Sequence, residues 1–243
     1  ALVDPKSKEQ WLFDATPDIK FQLQALENTT NINPINGIFL THAHIGHYVG
    51  LLQLGREVMG TQNMPVYAME KMHKFLKNNA PWNQLIRIKN ININTISNNN
   101  SVKLNERIKV TPFLVPHRDE YSETVGYIID GPNKKIAFIP DIDKWGKWNK
   151  DIISLVKKVD LAFIDGTFYD SNEINNRDMS EIPHPFVVES MELFKDLPLK
   201  EKAKIIFIHM NHTNPLLNSE SKQYKRVVEK GFKVAEFRQK IGL

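Results

Sequence analysis

The stretch Gly37-Ile38-Phe39-Leu40-Thr41-His42-Ala43-His44-Ile45-Gly46-His47 decides how this chain is read. The apolar run from Gly37 to Leu40, extended to Thr41, has the length of a short buried strand. Three of the chain's eight histidines, His42, His44 and His47, follow it immediately. From His47 to Val58, Val49, Leu52 and Leu54 are spaced as on a helix. A strand end is a rigid platform, and the loop beyond it can turn several side chains toward one point. Imidazole is the commonest neutral metal ligand, so several converging ring nitrogens predict a zinc or iron site.

Working outward, the other histidines stand at comparable places. His117 follows the strand-like run Lys109 to Pro116, and His209 follows Ile205 to Ile208. His184 lies in Ile182-Pro183-His184-Pro185 at a helix start, and His212 lies three residues beyond His209. His73, on a charged helix between Met72 and Lys74, reads as solvated. Two carboxylates complete the pattern: Asp141 after Ile136 to Ile139, and Asp165 after Leu161 to Ile164. A carboxylate can bridge two metal ions, which neutral imidazole does not do, so Asp141 predicts a binuclear site. Asp165, followed by Gly166, reads equally as a turn residue.

The remaining sequence alternates helix and strand at both ends. Trp11 to Asp14 and Pro65 to Ala68 read as strands; Asp18 to Leu26 and Glu70 to Lys77 read as helices. Asn90 to Asn100 reads as an exposed polar loop with room for one short strand. Val102 to Pro140 is a meander of consecutive strands with a hairpin turn at Gly131-Pro132-Asn133. Then come a helix from Asp151 to Lys158, a strand from Leu161 to Ile164, a helix from Pro185 to Phe194 and a strand from Lys204 to Ile208. A helix from Ser219 to Lys230 and a strand from Phe232 to Phe237 close the chain. Two packed sheets with helices outside fit this order; a single doubly wound parallel sheet does not accommodate the meander. Trp145, Trp148 and Tyr169, after the carboxylate strands, read as core, with the lining of a pocket as the alternative.

Composition narrows the chemistry. The chain has 243 residues, 41% apolar and 25% charged, enough for one large α/β domain spanning 1–243. It has no cysteine, so disulfides, thiolate metal sites and cysteine nucleophiles are excluded. No run reaches the roughly 18 to 20 apolar residues of a membrane span, and no signal peptide is visible. The chain is therefore expected to be soluble. Its compartment, cytoplasmic or exported, is open, because Ala1-Leu2-Val3-Asp4 reads as the end of a strand with sequence removed upstream. The net charge is +4, but lysines such as Lys195, Lys200, Lys202 and Lys204 are scattered as on solvated faces, not gathered into a nucleic-acid stripe. A small-molecule substrate is expected, and nothing fixes an oligomeric state.

His42-Ala43-His44-Ile45-Gly46-His47 resembles the His-x-His-x-Asp-His signature of the metallo-β-lactamase superfamily. Phe13-Asp14-Ala15 resembles that family's early strand ending in Asp, and His117, Asp141 and His209 follow in the order of its later metal ligands. Asp14-Ala15-Thr16-Pro17-Asp18-Ile19 and His209-Met210-Asn211-His212-Thr213-Asn214-Pro215 are similar to the branch of pyrroloquinoline quinone biosynthesis protein B. The resemblance implies an α/β fold, an αββα four-layer sandwich. It implies one or two Zn2+ ions, with Mn2+ or Fe2+ as alternatives: His42, His44 and His117 on the first, His47 and His209 on the second, Asp141 between them. It also implies hydrolysis of an ester, phosphodiester, lactone or lactam by water that the metal acidifies. One departure matters. Gly46 stands where the signature has Asp, so the second site lacks a ligand, with His212 and Asp165 as candidate replacements. Proton transfer then falls to Asp141, His184 or His212. The alternatives are an iron-dependent oxidoreductase of quinone cofactor biosynthesis, a metal-binding protein without catalysis, and an RNA-processing nuclease.

Overall fold

The structure, a computed structural model, describes residues 1–174 and 178–243. The chain forms two compact units, Ala1–Asn98 with Asp119–Thr124, and Asn99–Arg118 with Val125–Leu243.

The first unit carries a five-stranded sheet in the order β1 (Leu2–Asp4), β2 (Glu9–Phe13), β3 (Gly37–Phe39), β4 (Met64–Ala68) and β5 (Ile91–Thr95). β1 and β2 pair antiparallel; the remaining neighbours are parallel. Every residue of β3 is buried, as an interior strand of a parallel sheet requires. Ile38, Leu51, Leu54, Val66 and Leu76 are fully buried in this unit's core. Its helices are α1 (Ile19–Thr30), α2 (Ile45–Tyr48), α3 (Glu70–Asn78) and α4 (Trp82–Arg87). The Asn90 to Asn100 stretch supplies a full sheet strand, β5, because Ile91 is buried in the core.

One expectation is corrected here. The predicted helix from His47 to Val58 is the single turn α2 followed by a 3-10 segment, Val49–Leu54. The reason is a close backbone crossing. Ala15 N donates to His47 O at 2.8 Å, and Gly50 N donates to Ala15 O at 2.9 Å. A Cβ on Gly50 would stand 2.1 Å from the Thr16 carbonyl oxygen. The apolar spacing was real, but the chain tightens to dock on the turn after β2.

The second unit carries a seven-stranded sheet. Its strands are β6 (Val102–Lys103), β7 (Lys109–Leu114), β8 (Val125–Asp130), β9 (Lys135–Ile139), β10 (Leu161–Asp165), β11 (Ile205–Ile208) and β12 (Lys233–Val234), in that spatial order. The pairs from β6 to β9 are antiparallel and those from β9 to β12 are parallel, which is the predicted meander followed by crossovers. Helices α5 (Ile152–Lys158), α6 (Val187–Leu193), α7 (Leu199–Lys202) and α8 (Lys222–Glu229) complete it. Asp151 caps α5 by accepting from Ile153 N and Ser154 N, and Ser221 caps α8, each satisfying amides the helix leaves open. The last strand stops at Val234, short of the predicted Phe237. Trp148 and Tyr169 lie in this unit's core, with Trp145 packed against it. No helix among the described residues is long and apolar enough to cross a membrane.

Strand direction decides where chemistry gathers in each unit. β7 and β9 are both antiparallel to β8, so they run the same way as each other and as β10 and β11. His117, Asp141, Asp165 and His209 therefore follow the carboxyl ends of like-directed strands, or close them. In the first unit, Asp14 and the histidine cluster follow the carboxyl ends of the parallel strands β2 and β3. Carboxyl ends of parallel strands are the usual place for ligands in α/β sheets.

Candidate metal centre

In the first unit the site is built from Asp14 outward. Asp14 is buried and left-handed, with φ of 65°, a backbone state that Asp tolerates better than most residues. That turn aims its carboxylate at the segment after β3. Oδ1 accepts from Thr41 N at 2.8 Å, and Oδ2 accepts from His47 Nδ1 at 2.7 Å. The Thr41 hydroxyl lies 2.9 Å from Asp14 Oδ2 and 2.9 Å from His42 Nδ1. A carboxylate only accepts, so the hydroxyl donates to Asp14 and accepts from His42 Nδ1–H. Both His42 and His47 thus carry their proton on Nδ1 and present the lone pair of Nε2. His44 is turned the other way: its Nε2 lies 3.1 Å from Glu120 Oε2, leaving Nδ1. His42 Nε2 and His44 Nδ1 then stand 2.9 Å apart, somewhat inside the roughly 3.4 Å between two tetrahedral ligands of one ion with bonds of about 2.1 Å. The Asp119–Thr124 segment also braces the cluster through Ser122 Oγ, which accepts from Ala43 N at 2.8 Å.

The second unit repeats the device. The Thr167 hydroxyl lies 2.7 Å from Asp165 Oδ1 and 2.9 Å from His209 Nδ1. It donates to the carboxylate and accepts from the imidazole, so His209 presents Nε2. His209 also has a left-handed backbone, φ 63°. Asp141 divides its two oxygens: Oδ1 lies 3.8 Å from His117 Nε2, and Oδ2 lies 3.5 Å from His209 Nε2. One oxygen toward each histidine is the disposition a bridging carboxylate needs. Asp141, Asp165 and His184 form a cluster whose ligand atoms lie within 4.8 Å of one another. His184 Nδ1 is 2.8 Å from Asp165 Oδ2 and 3.1 Å from Asp141 Oδ1. Burial alone would lower the His184 pKa; the two carboxylates outweigh it and raise the value to about 10.

The oriented imidazoles of the first unit, and separately His209 with the divided carboxylate of Asp141 in the second, have the chemistry of divalent-metal ligands, since a metal-ligating imidazole commonly donates its other N–H to a fixed acceptor. Two other sequence candidates, Asp165 and His212, fare differently, and His73, read as solvated, stays apart. Asp165 is fully buried and accepts from Ile142 N, Thr167 N, the Thr167 hydroxyl and His184, so it serves as a brace. His212 is exposed and has no hydrogen bond or ion pair among the described residues. His73 bonds Thr95 Oγ1 at 2.8 Å, away from the cluster. Sequence reading missed Thr41, Thr167, Glu120 and Ser122. Thr41 and Thr167 had a signal in retrospect, a Thr beside a candidate His or two residues after a candidate Asp; Glu120 and Ser122 had none.

The family model described as "Beta-lactamase superfamily domain" matches residues 10–210. Coenzyme PQQ synthesis protein B of Methylococcus capsulatus is 27% identical, over 93% of this chain and 82% of its own length. That of Nitrosococcus oceani is 28% identical, over 92% and 81%. Among solved structures, Zn2+-bound PqqB from Methylobacterium extorquens aligns with a TM-score of 0.79 at 23% identity, covering 99% of this chain and 86% of that one. A diphosphatase of the PhnP family aligns with a TM-score of 0.61 at 21% identity, covering 92% and 76%. The α/β fold of the metallo-β-lactamase type expected from the sequence is borne out by these likenesses.

Proposed function

This chain belongs to the β-lactamase superfamily, and on that premise we propose that it is a metal-dependent hydrolase acting as one functional domain over residues 1–243. The proposed ligands are His42, His44 and His117 for one ion, His47 and His209 for a second, and Asp141 for both. The observation that carries this reading is the orientation of four imidazoles. His42, His44, His47 and His209 each have one ring nitrogen held by a polar side chain, which sets the orientation of the ring.

A bound divalent metal would supply Lewis acidity and bring the pKa of water down to about 7. The chain supplies the rest. Asp14 and Asp165 hold the imidazoles in one tautomer, directly or through Thr41 and Thr167. Asp141 brings negative charge to both ligand sets. His184, held on Nδ1 by Asp141 and Asp165, is the assigned proton donor to a leaving group through Nε2. An ester, phosphodiester, lactone or lactam is the proposed bond. The diphosphatase among the structural neighbours supports a hydrolytic use of this fold.

A second reading has its own support: Gly46 at the signature Asp, together with the relatives named coenzyme PQQ synthesis protein B. Iron in the same ligand set would then serve an oxidation in quinone cofactor synthesis. Elemental analysis of protein purified without added metal, followed by assays on an ester, phosphodiester, lactone and lactam panel, separates the two. Zinc or manganese with turnover supports hydrolysis. Iron with oxygen consumption and no hydrolysis overturns it in favour of oxidation, and metal without any turnover leaves a binding protein.

A further inference from the structure

Trp148 is core and pocket wall at once. It is buried in the core of the second unit, and it lines a cavity of about 400 Å³, within the roughly 300–1,000 Å³ of small-molecule sites. Every lining residue belongs to the second unit, and none is a candidate metal ligand or a hydrogen-bonding partner of one. Thr111 and Ile128 are paired across β7 and β8, and Phe113 stands two residues beyond Thr111, so all three share one face of the sheet. That is the face whose core Phe113 forms with Ile152 and Val156 of α5. Ser154, Leu155 and Lys158 close the cavity from the same helix.

The floor is flat and apolar. Phe113 and Trp148 are buried, and their rings stack with centroids 5.8 Å apart and planes inclined by 25°. Trp148 Nε1 donates to Leu114 O at 3.0 Å, so the indole offers only carbon to a ligand. Ile128 and Leu155, both half-buried, add apolar wall. The rim is cationic. Lys150 Nζ lies 5.5 Å from the Phe113 ring centroid and 3.4 Å from Asn99 Oδ1. Among the described residues neither Lys150 nor Lys158 has an ion pair. Asp151 is the single acid of the lining, and its carboxylate already accepts from Ile153 N, Ser154 N and the Ser154 hydroxyl. Two ammonium groups without a counter-charge, over a floor of stacked rings, complement a ligand of two parts: a ring that extends the stack and an anionic head that meets the lysines. We propose that this cavity binds small aromatic carboxylates, with the ring against Phe113 and Trp148 and the carboxylate at Lys150 and Lys158. The site needs no metal and stands independently of the hydrolase reading.

Titration of nitrogen-15-labelled full chain with 2-naphthoate, and with neutral 2-naphthamide as the matched control, tests this through the indole N–H resonances. Trp148→Phe identifies the Trp148 signal. Naphthoate should shift that signal saturably and bind at least about fivefold more tightly than naphthamide, because only the anion meets the lysines. Lys150 and Lys158 are exposed, so a Lys150→Gln, Lys158→Gln double variant should melt as the wild type does. It should bind naphthoate about tenfold more weakly and no longer prefer it to naphthamide. A Trp148 signal that does not move at millimolar naphthoate overturns the proposal, as does equal affinity for the acid and the amide. Wild-type naphthoate affinity in the double variant, or shifts confined to the other indoles, overturns it as well.

Discussion

His47 Nδ1 stands 2.7 Å from Asp14 Oδ2, and both side chains are buried. The same carboxylate accepts from Thr41 N and the Thr41 hydroxyl, so one residue orients two candidate ligands. Asp14→Asn keeps an acceptor and tolerates the left-handed backbone, but it sets an amide N–H2 or a weaker carbonyl against His47. It should lower metal affinity by about 10- to 100-fold with a small change in Tm. Asp14→Ala strands three buried donors and should cost about 3–5 kcal/mol. Chelator competition and thermal melts of both variants measure the split; wild-type affinity in Asp14→Asn would remove the orienting role.

Thr167 plays the corresponding part for His209, between Asp165 Oδ1 and the imidazole. Thr167→Ser preserves the hydroxyl and should bind metal as the wild type does. Thr167→Val keeps the shape, breaks the relay and frees the ring to change tautomer, so affinity should fall by about tenfold or more. Equal affinity in the two variants would mean that the hydroxyl orients nothing.

Glu120 reaches His44 from the Asp119–Thr124 segment, and its side chain is 47% exposed. An exposed ion pair adds about 0–1 kcal/mol at most to folding, so Glu120→Ala should leave Tm nearly unchanged. Its effect should appear in metal affinity, as a fall of about tenfold, because His44 no longer favours the tautomer that presents Nδ1. Ser122→Ala removes the acceptor for the buried Ala43 N and should act the other way, costing about 1–3 kcal/mol of stability. Calorimetric metal titration beside thermal melts distinguishes the two patterns.

How much of this was legible depends on the range of the interaction. The ligand histidines and Asp141 follow apolar strands, and that local pattern announces them. The outer partners arise where distant segments cross: Glu120 is 76 positions from His44, and Ser122 is 79 from Ala43. No local periodicity encodes such a pairing. The 3-10 segment was missed for the same reason. Val49, Leu52 and Leu54 carry a helical spacing, but the backbone of Ala15 and Thr16 dictates how tightly that stretch winds. The meander and the crossovers were readable because they leave different sequence patterns; β5 showed only as one short strand within a polar loop, because only Ile91 of its residues is buried.

Gly50 makes that crossing testable. Its hypothetical Cβ lies 2.1 Å from Thr16 O and 2.8 Å from Ala15 O, and backbone oxygens cannot swing aside as a side chain can. Gly50→Ala should cost at least about 1–3 kcal/mol, a drop of several degrees in Tm. It should also loosen metal binding, because the displaced turn carries Asp14. A melt at wild-type Tm would show that the turn yields freely.

His184 and His212 were both candidates for proton transfer, and their surroundings separate them. His184 is half-buried beside Asp141 and Asp165, and His212 is exposed on the loop after β11. His212→Ala should leave metal affinity, Tm and turnover within about twofold of wild type. His184→Ala removes the cation between two carboxylates and, if the imidazole donates a proton, should lower kcat by about 10²- to 10⁴-fold. His184→Gln restores a neutral donor without a titrating proton: recovery of Tm but not of kcat would mark proton transfer, whereas recovery of both would assign His184 to holding Asp141 in place. Steady-state kinetics on whichever bond the hydrolase panel identifies provides the measurement. A His212→Ala variant as impaired as His184→Ala would reverse the assignment.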